Sequence, residues 1–460
     1  MRRRKKSKKG LIGAVSFAIA AVVVAVLVYT SPKFERTAPV IQAPDTVYWN
    51  AKQPLTLDVS DNQALKSYTV SIERNGALTP LVSGAFEQGT AQTKLAIPYS
   101  DALASDTKTV TLVVRVRDAS LWQWFQGNET TKRIRVSIDR KRPDVAIVAN
   151  SRKIAQGGSA LVVFMAEDAH LDKLYVEANG HRFKPQPYKK EGYYATLVAW
   201  PFTDDRFDAT IVATDKAGNV RKTHIPFYHS NPRYRTSYIK ARDRFIDGKI
   251  SDLAASDPEY ADIDDRIEKL RAVNEKMRQK NEALIHKLAS KVSHDRIDHW
   301  EIKPFYPLKN AKKVANFGDH RYYYYGDKSH IVSESYHLGY DLASDKMAPI
   351  VASNPGKVVF ADENGIYGNM PMIDHGLGLY TLYGHCSKLL VHQGDKVRRG
   401  DVIARTGMTG LALGDHLHFG ILVQGIEVRP IEWLDKRWIR TFITDVFKQA
   451  DAVIEGRDRP

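Results

Sequence analysis

Leu11 to Tyr29 form one apolar run, and no charged residue occurs between Gly10 and Pro32. At about 1.5 Å of rise per residue, such a run coiled as a helix is long enough to cross the roughly 30 Å of bilayer hydrocarbon. Beyond it the pattern changes. From about residue 40 to about 229, short stretches rich in Val, Ile, Thr and Tyr alternate apolar with polar positions, among them "PLTLDVS", "YTVSIERNG", "TVTLVVRVRD", "LVVFMAED" and "ATIVATD". Period-two alternation predicts half-buried strands, and the turn residues between them predict packed sheets. The region also repeats: "SDNQALKSYTV" from Ser60 aligns with "EDAHLDKLYV" from Glu167, and "VRVRDASLWQWFQGN" aligns more loosely with "IVATDKAGN".

The repeat predicts two β-sandwich units, residues 40–140 and 141–229, meeting at "DRKRPD". Their size and pattern resemble immunoglobulin-like modules of bacterial surface proteins, which implies a spacer or docking role. Residues 230–300 then read as a linker and an amphipathic helix. Tyr260, Ile263, Ile267, Leu270, Asn274, Met277, Asn281, Leu284 and Leu288 recur at steps of three and four, with Pro258 near the expected start. That seam suits packing within the chain, with a coiled coil between copies as the alternative and the two asparagines as register-setting positions. Strand patterning returns between 305 and 435, now dense in Gly and His. In the tail, 436–460, Trp438, Ile439, Phe442, Ile443 and Val446 predict a helix packed on the preceding domain. The fold class expected is therefore multidomain and mainly β, with an N-terminal transmembrane helix, two sandwiches, a helical segment and a C-terminal antiparallel-β domain.

Charge changes the picture at one end only. The net charge is +15, but seven basic residues sit in the opening "MRRRKKSKK". Placed before the apolar run, they make residues 1–10 a cytoplasmic segment, 11–29 a single-pass anchor, and everything after Pro32 exported. A cleaved signal peptide is the competing reading, though the run is longer than the roughly 7–15 residues of a signal core. Export removes nucleic acid as a partner. The single cysteine, Cys386, forms no internal disulfide and reads as structural despite its neighbour His385.

Candidate chemistry lies in the C-terminal domain. In "GDHLHFGILV" His416 and His418 share one face of a strand, opposite Leu417, Phe419, Ile421 and Val423. "SYHLGYDLAS" places His337 and Asp341 on one side of what reads as a single strand, and histidine with carboxylate is a normal zinc set. "RYYYY", residues 321–325, suits either a substrate groove, with Arg321 steering a carboxylate, or plain packing. His320, His330, His375 and His392 read as loop or surface residues, and Gly407, Gly410 and Gly414 as tight-turn positions.

"NFGDHRYYYYGD", "HLGYD", "YGHCSKL", "VHQGDKVRRGDVIARTGMTG" and "GDHLHFGILV" occur in the order and character of the M23 family of zinc endopeptidases, the lysostaphin-like or LytM-type domains. The resemblance covers roughly 310–434. It implies one Zn2+ held by His337, Asp341 and His418, with His385 and His416 as catalytic histidines whose separate roles stay unassigned. It further implies hydrolysis of peptide bonds in peptidoglycan stem peptides or cross-links, on the outer side of the cytoplasmic (inner) membrane, in the periplasm or extracellular space. Peptidoglycan peptides and the membrane are the partners expected, with envelope proteins or coiled-coil self-association as further candidates. A non-catalytic LytM-type activator of another wall hydrolase is the alternative. Lipoyl or biotinyl carrier domains rank third, because "GDKVRRGDVIARTG" resembles their turns but no modifiable lysine motif accompanies it.

Overall fold

The computed structural model describes residues 8–99 and 108–457, so most of the basic opening segment lies outside the described residues. The chain is mainly β behind an N-terminal apolar helix, Lys8–Thr30. No part of the Ile12–Thr30 span is buried, and its mean hydropathy is 2.6. Two compact units follow from the contacts. One comprises residues up to Arg142 together with Thr214–Asn219, and the other comprises Pro143–Ala213 with Val220 onwards.

In the first unit, the three strands Val40–Gln42, Leu55–Ser60 and Gln92–Ile97 form one sheet, and five strands centred on Thr109–Asp118 form a second. Leu55, Leu57 and Val59 alternate inward and join Val70, Ile72, Leu112, Val114 and Ile134 in one core. Period-two patterning thus becomes two layers with a shared apolar interior. The sequence repeat has a structural counterpart. Asn128 N donates to Asp118 Oδ1 at 2.8 Å, and Asn219 N donates to Asp215 Oδ1 at 2.8 Å.

The second unit starts with two four-stranded sheets, one carrying Ser159–Glu167 and the other Leu171–Ala178. Ser159–Glu167 is buried along nearly its whole length, which requires cover on both faces. Part of that cover is C-terminal. The turns Lys436–Ile439, Arg440–Thr444 and Asp445–Ile454 form a tail helix that docks on these strands, with the Tyr188 ring tilted against Phe447 at 5.1 Å and its hydroxyl donating to Asp451 Oδ1 at 2.6 Å. The tail also packs on the domain just before it, as expected, with Trp438 against Trp433 at 5.2 Å.

The C-terminal domain is built on an eight-stranded antiparallel sheet that includes Tyr340–Ala343, Leu417–Val423 and Leu379–Gly384 in adjacent positions. A three-stranded sheet, Thr236–Lys240, Asp319–Tyr324 and Ile331–His337, stands beside it. Leu417, Phe419, Ile421 and Val423 enter the core that continues into the preceding β unit, and Leu422 enters a second core beneath the helical segment.

That segment departs from the predicted helix in two ways. The long helix starts at Arg266, where the Asp265 side chain accepts from Glu268 N, and Pro258 lies in a turn before it. Within the helix, Ala272–Met277 is a π turn. One extra residue there rotates the following face, so Asn281, Ile285 and Ala289 are buried while Leu284 is 36% exposed. The seam packs inside the chain. Asn281 Oδ1 accepts from Ile366 N at 2.9 Å, and Asn274 Nδ2 donates to Ser333 Oγ at 2.9 Å.

Two measurements test this packing. Asn281→Ala leaves the Ile366 N–H without its acceptor and should cost about 1–3 kcal/mol in urea unfolding. Glu432 is buried on the short helix Pro430–Leu434, where its Oε2 accepts from Ser159 N at 3.1 Å. Burial pushes its carboxyl from 4.5 up to about 7, against the pull of Arg429. Between those values the folded chain binds more protons than the unfolded chain, so stability falls as pH rises. Glu432→Gln removes that loss, and its stability relative to the native chain should rise from pH 5 to pH 8 by roughly 2 kcal/mol.

Candidate active site

His337 ends the strand Ile331–His337, and Asp341 lies in Tyr340–Ala343. The single strand read from the sequence is in fact broken at Leu338–Gly339, and its two halves belong to different sheets. A Cβ at Gly339 would stand 2.7 Å from the His418 ring and 2.7 Å from Phe419 O, so only glycine lets the chain pass this close to them. Asp341 and His418 are register partners across the central sheet, and His418 also pairs with Gly384, which delivers His385 alongside. His385 itself has a φ of 65°, a left-handed conformation costly for a non-glycine residue, held by its N donating to Tyr367 O at 2.8 Å.

The five predicted side chains gather at one place. His337 Nε2 and His418 Nδ1 each lie 2.9 Å from Asp341 Oδ1 and 3.1 Å from one another. His416 Nε2 lies 3.6 Å from the same oxygen, and the His385 and His416 rings are 4.8 Å apart. Backbone carbonyls orient three of the rings. His337 Nδ1 donates to Asn316 O, His385 Nδ1 to Thr409 O and His416 Nδ1 to Gly414 O, each at 2.8 Å. A neutral ring that donates through Nδ1 presents a bare lone pair at Nε2. His418 is turned the other way, with Nδ1 toward Asp341 and Nε2 buried without a hydrogen-bond partner.

Electrostatics follow from this crowding. Burial would raise the Asp341 carboxyl, but the His337, His416 and His418 rings that face it hold it well below the usual range. Burial pushes His418 down to about 4, and burial with the neighbouring histidines keeps His385 well below its ordinary value. For His416 burial is outweighed by the Asp341 carboxylate, and its affinity for protons rises. His337 Nε2, His418 Nδ1 and Asp341 Oδ1 are all atoms of metal-ligating type, and they converge on one point. Three ligands about 2.0–2.2 Å from one zinc stand at comparable separations. Among the described residues, His337, Asp341 and His418 thus form a group able to hold a metal ion.

The group opens on a cleft of about 700 Å³. Tyr323 and Arg321 from "RYYYY" line it, whereas Tyr322 stacks on Tyr238 at 5.5 Å. Sequence reasoning missed several lining residues: Lys240, Arg242 and Phe245 from the presumed linker, Arg278 from the helix, and Tyr367, whose ring meets His418 edge-on at 5.5 Å. A surplus of basic residues around 240 was the available signal.

His375 is not a surface residue. It is buried, bonded to Pro355 O and Thr381 Oγ1 at 2.8 Å each, and burial lowers it to about 4. His392 is exposed and His320 lies against Tyr336 at 4.2 Å. Of the three glycines near the site only Gly410 has a positive φ, 66°. Gly407 is required because a Cβ would meet Ser387 N at 2.5 Å, and Gly414 has open space. Cys386 is buried, and burial raises its thiol to about 12, which leaves it unreactive.

Comparison with known proteins places this domain. The family model for Peptidase family M23 matches residues 335–430. DD-carboxypeptidase/endopeptidase Mpg of Neisseria meningitidis serogroup B is 41% identical over 95 residues, 21% of this chain and 22% of the relative. Murein hydrolase activator NlpD of Salmonella dublin is 36% identical over 130 residues, 28% of this chain and 30% of the relative. Such matches span less than a third of the length of these curated relatives. A crystal structure of a zinc containing peptidase from Vibrio cholerae is 14% identical, covering 70% of this chain and 81% of that one, at a TM-score of 0.27. The segment that carries His337, Asp341, His385, His416 and His418 is accordingly a domain of peptidase family M23.

Proposed function

We propose that this protein is a membrane-anchored zinc endopeptidase that hydrolyses peptide bonds in peptidoglycan stem peptides or cross-links. The observation that carries the reading is the convergence of two imidazole nitrogens and one carboxylate in the cleft, with two further histidines beside them. His337 Nε2, Asp341 Oδ1 and His418 Nδ1 would hold one zinc ion. Bound there, it would supply Lewis acidity and make water a nucleophile near neutral pH. His385 and His416 are held by carbonyls so that each can take or give a proton at Nε2, one toward the nucleophile and one toward the oxygen that gains charge. The apolar helix Lys8–Thr30 is read as an uncleaved anchor, with the remainder of the chain outside the cytoplasmic membrane.

A second reading is favoured by the relative named a murein hydrolase activator. It makes the domain a binding module that stimulates another wall hydrolase. The complete set of five side chains supports the enzyme.

The full chain, purified in detergent, is incubated with peptidoglycan with and without a chelator, and released peptides are identified by mass. New peptide termini that vanish on chelation and in His418→Ala are expected. Silence of the zinc-loaded chain, together with stimulation of a second hydrolase, would instead establish the activator. Zinc added to chelated native chain should raise Tm and leave His418→Ala unmoved. Gly339→Ala pushes the His418 ring aside, and should abolish that rise and lower turnover by on the order of a hundredfold.

A further inference from the structure

Four cations line the cleft, Lys240, Arg242, Arg278 and Arg321, against two carboxylates, Asp341 and Asp415. Both carboxylates are engaged. Asp341 holds the histidines, and Asp415 Oδ2 accepts from Met347 N at 3.1 Å. Two of the cations are also engaged. Arg278 donates to Asn274 O at 2.9 Å and to Asn274 Oδ1 at 3.1 Å, and Arg321 Nε lies 3.3 Å from Asp319 Oδ2.

Lys240 and Arg242 differ. They are exposed, and among the described residues no hydrogen bond or ion pair engages either side chain. The neighbouring Asp243 is turned to Tyr325, whose hydroxyl donates to it at 2.7 Å, and to Arg266 at 3.8 Å.

Their backbone is fixed. The strand Thr236–Lys240 runs parallel to Asp319–Tyr324 with Lys240 in register with Tyr324, Ala241 N donates to Tyr324 O at 2.8 Å, and Ala241 and Ile246 are buried. The chain thus holds two uncommitted positive groups in the cleft that also holds the histidines and Asp341. An uncharged peptide offers such groups only neutral carbonyl acceptors, whereas a carboxylate accepts stronger, charge-assisted hydrogen bonds from both, the guanidinium offering a fork of donors. Lys240, Arg242 and Arg278 lie in chain that precedes the matched segment 335–430.

We propose that Lys240 and Arg242 bind a free carboxylate of the peptide in the cleft and thereby select acidic peptides as substrates. The proposal rests on the endopeptidase reading for the word substrate, but binding alone tests it. The probes are cross-linked muropeptide dimers, used as isolated and after carbodiimide coupling to methylamine has converted their carboxylates to methylamides. Affinity is measured by calorimetry on the full chain in detergent, with chelator present so that nothing is cut. The native chain should bind the free-carboxylate form at least tenfold more tightly than the methylamide, and raised salt should shrink the difference.

Lys240→Ala/Arg242→Ala should bring the two forms within threefold, and since both side chains are exposed its Tm should match that of the native chain. Several results would overturn the proposal: a native preference below threefold, a tenfold preference kept by the double variant, or no binding of the free-carboxylate form at millimolar concentration. Cleavage is scored separately after zinc is restored. Selective binding without cleavage keeps the carboxylate site and removes the endopeptidase, while equal binding of both forms with cleavage does the reverse.

Discussion

One strand, Leu417–Val423, is buried on both faces, and the rest of the second unit is arranged around that fact. Its odd positions complete the core shared with the preceding β unit, Leu422 enters the core beneath the helical segment, and every residue of the strand is buried. A strand enclosed in this way cannot slip in register without moving apolar side chains out of both cores. His416 and His418 stand at its head. The precision of the polar cluster is therefore inherited from apolar packing several residues away.

The helical segment shows a related economy. Its π turn would be a defect in an isolated helix, yet it turns Asn281 and Ile285 toward the sheet and lets Asn274 reach Ser333. Both asparagines, which suit a register-setting role between copies, satisfy backbone and hydroxyl groups within the chain instead. The helix also carries Arg278 to the cleft, which ties the site to residues that precede the family domain.

Much of this was legible in the sequence. The apolar run, the alternating strands and the gathering of His337, Asp341, His385, His416 and His418 follow from pattern and from motif order. Other features leave little trace in composition. "SYHLGYDLAS" reads as a single strand because its residue types do not mark the break at Leu338–Gly339, where the chain passes His418, a residue far along the sequence. The π turn adds one residue to a face without any signature of residue type. His375 reads as a loop histidine because its partners, Pro355 O and Thr381 Oγ1, become neighbours only when the sheet forms. The lining role of Lys240 and Arg242 depends on a parallel pairing with a strand about eighty residues on, a distance at which local periodicity carries no information.

The break at Leu338–Gly339 has a mechanical meaning. Because His337 closes one sheet while Asp341 and His418 belong to another, the triangle they form spans a seam in the architecture. An ion seated in it would act as a rivet between two plates, and a small slide of one plate against the other would open the triangle. The hold of the cluster on such an ion would then depend on how the two sheets are aligned, and the strand Thr236–Lys240, at the edge of the smaller sheet, would bear on that alignment.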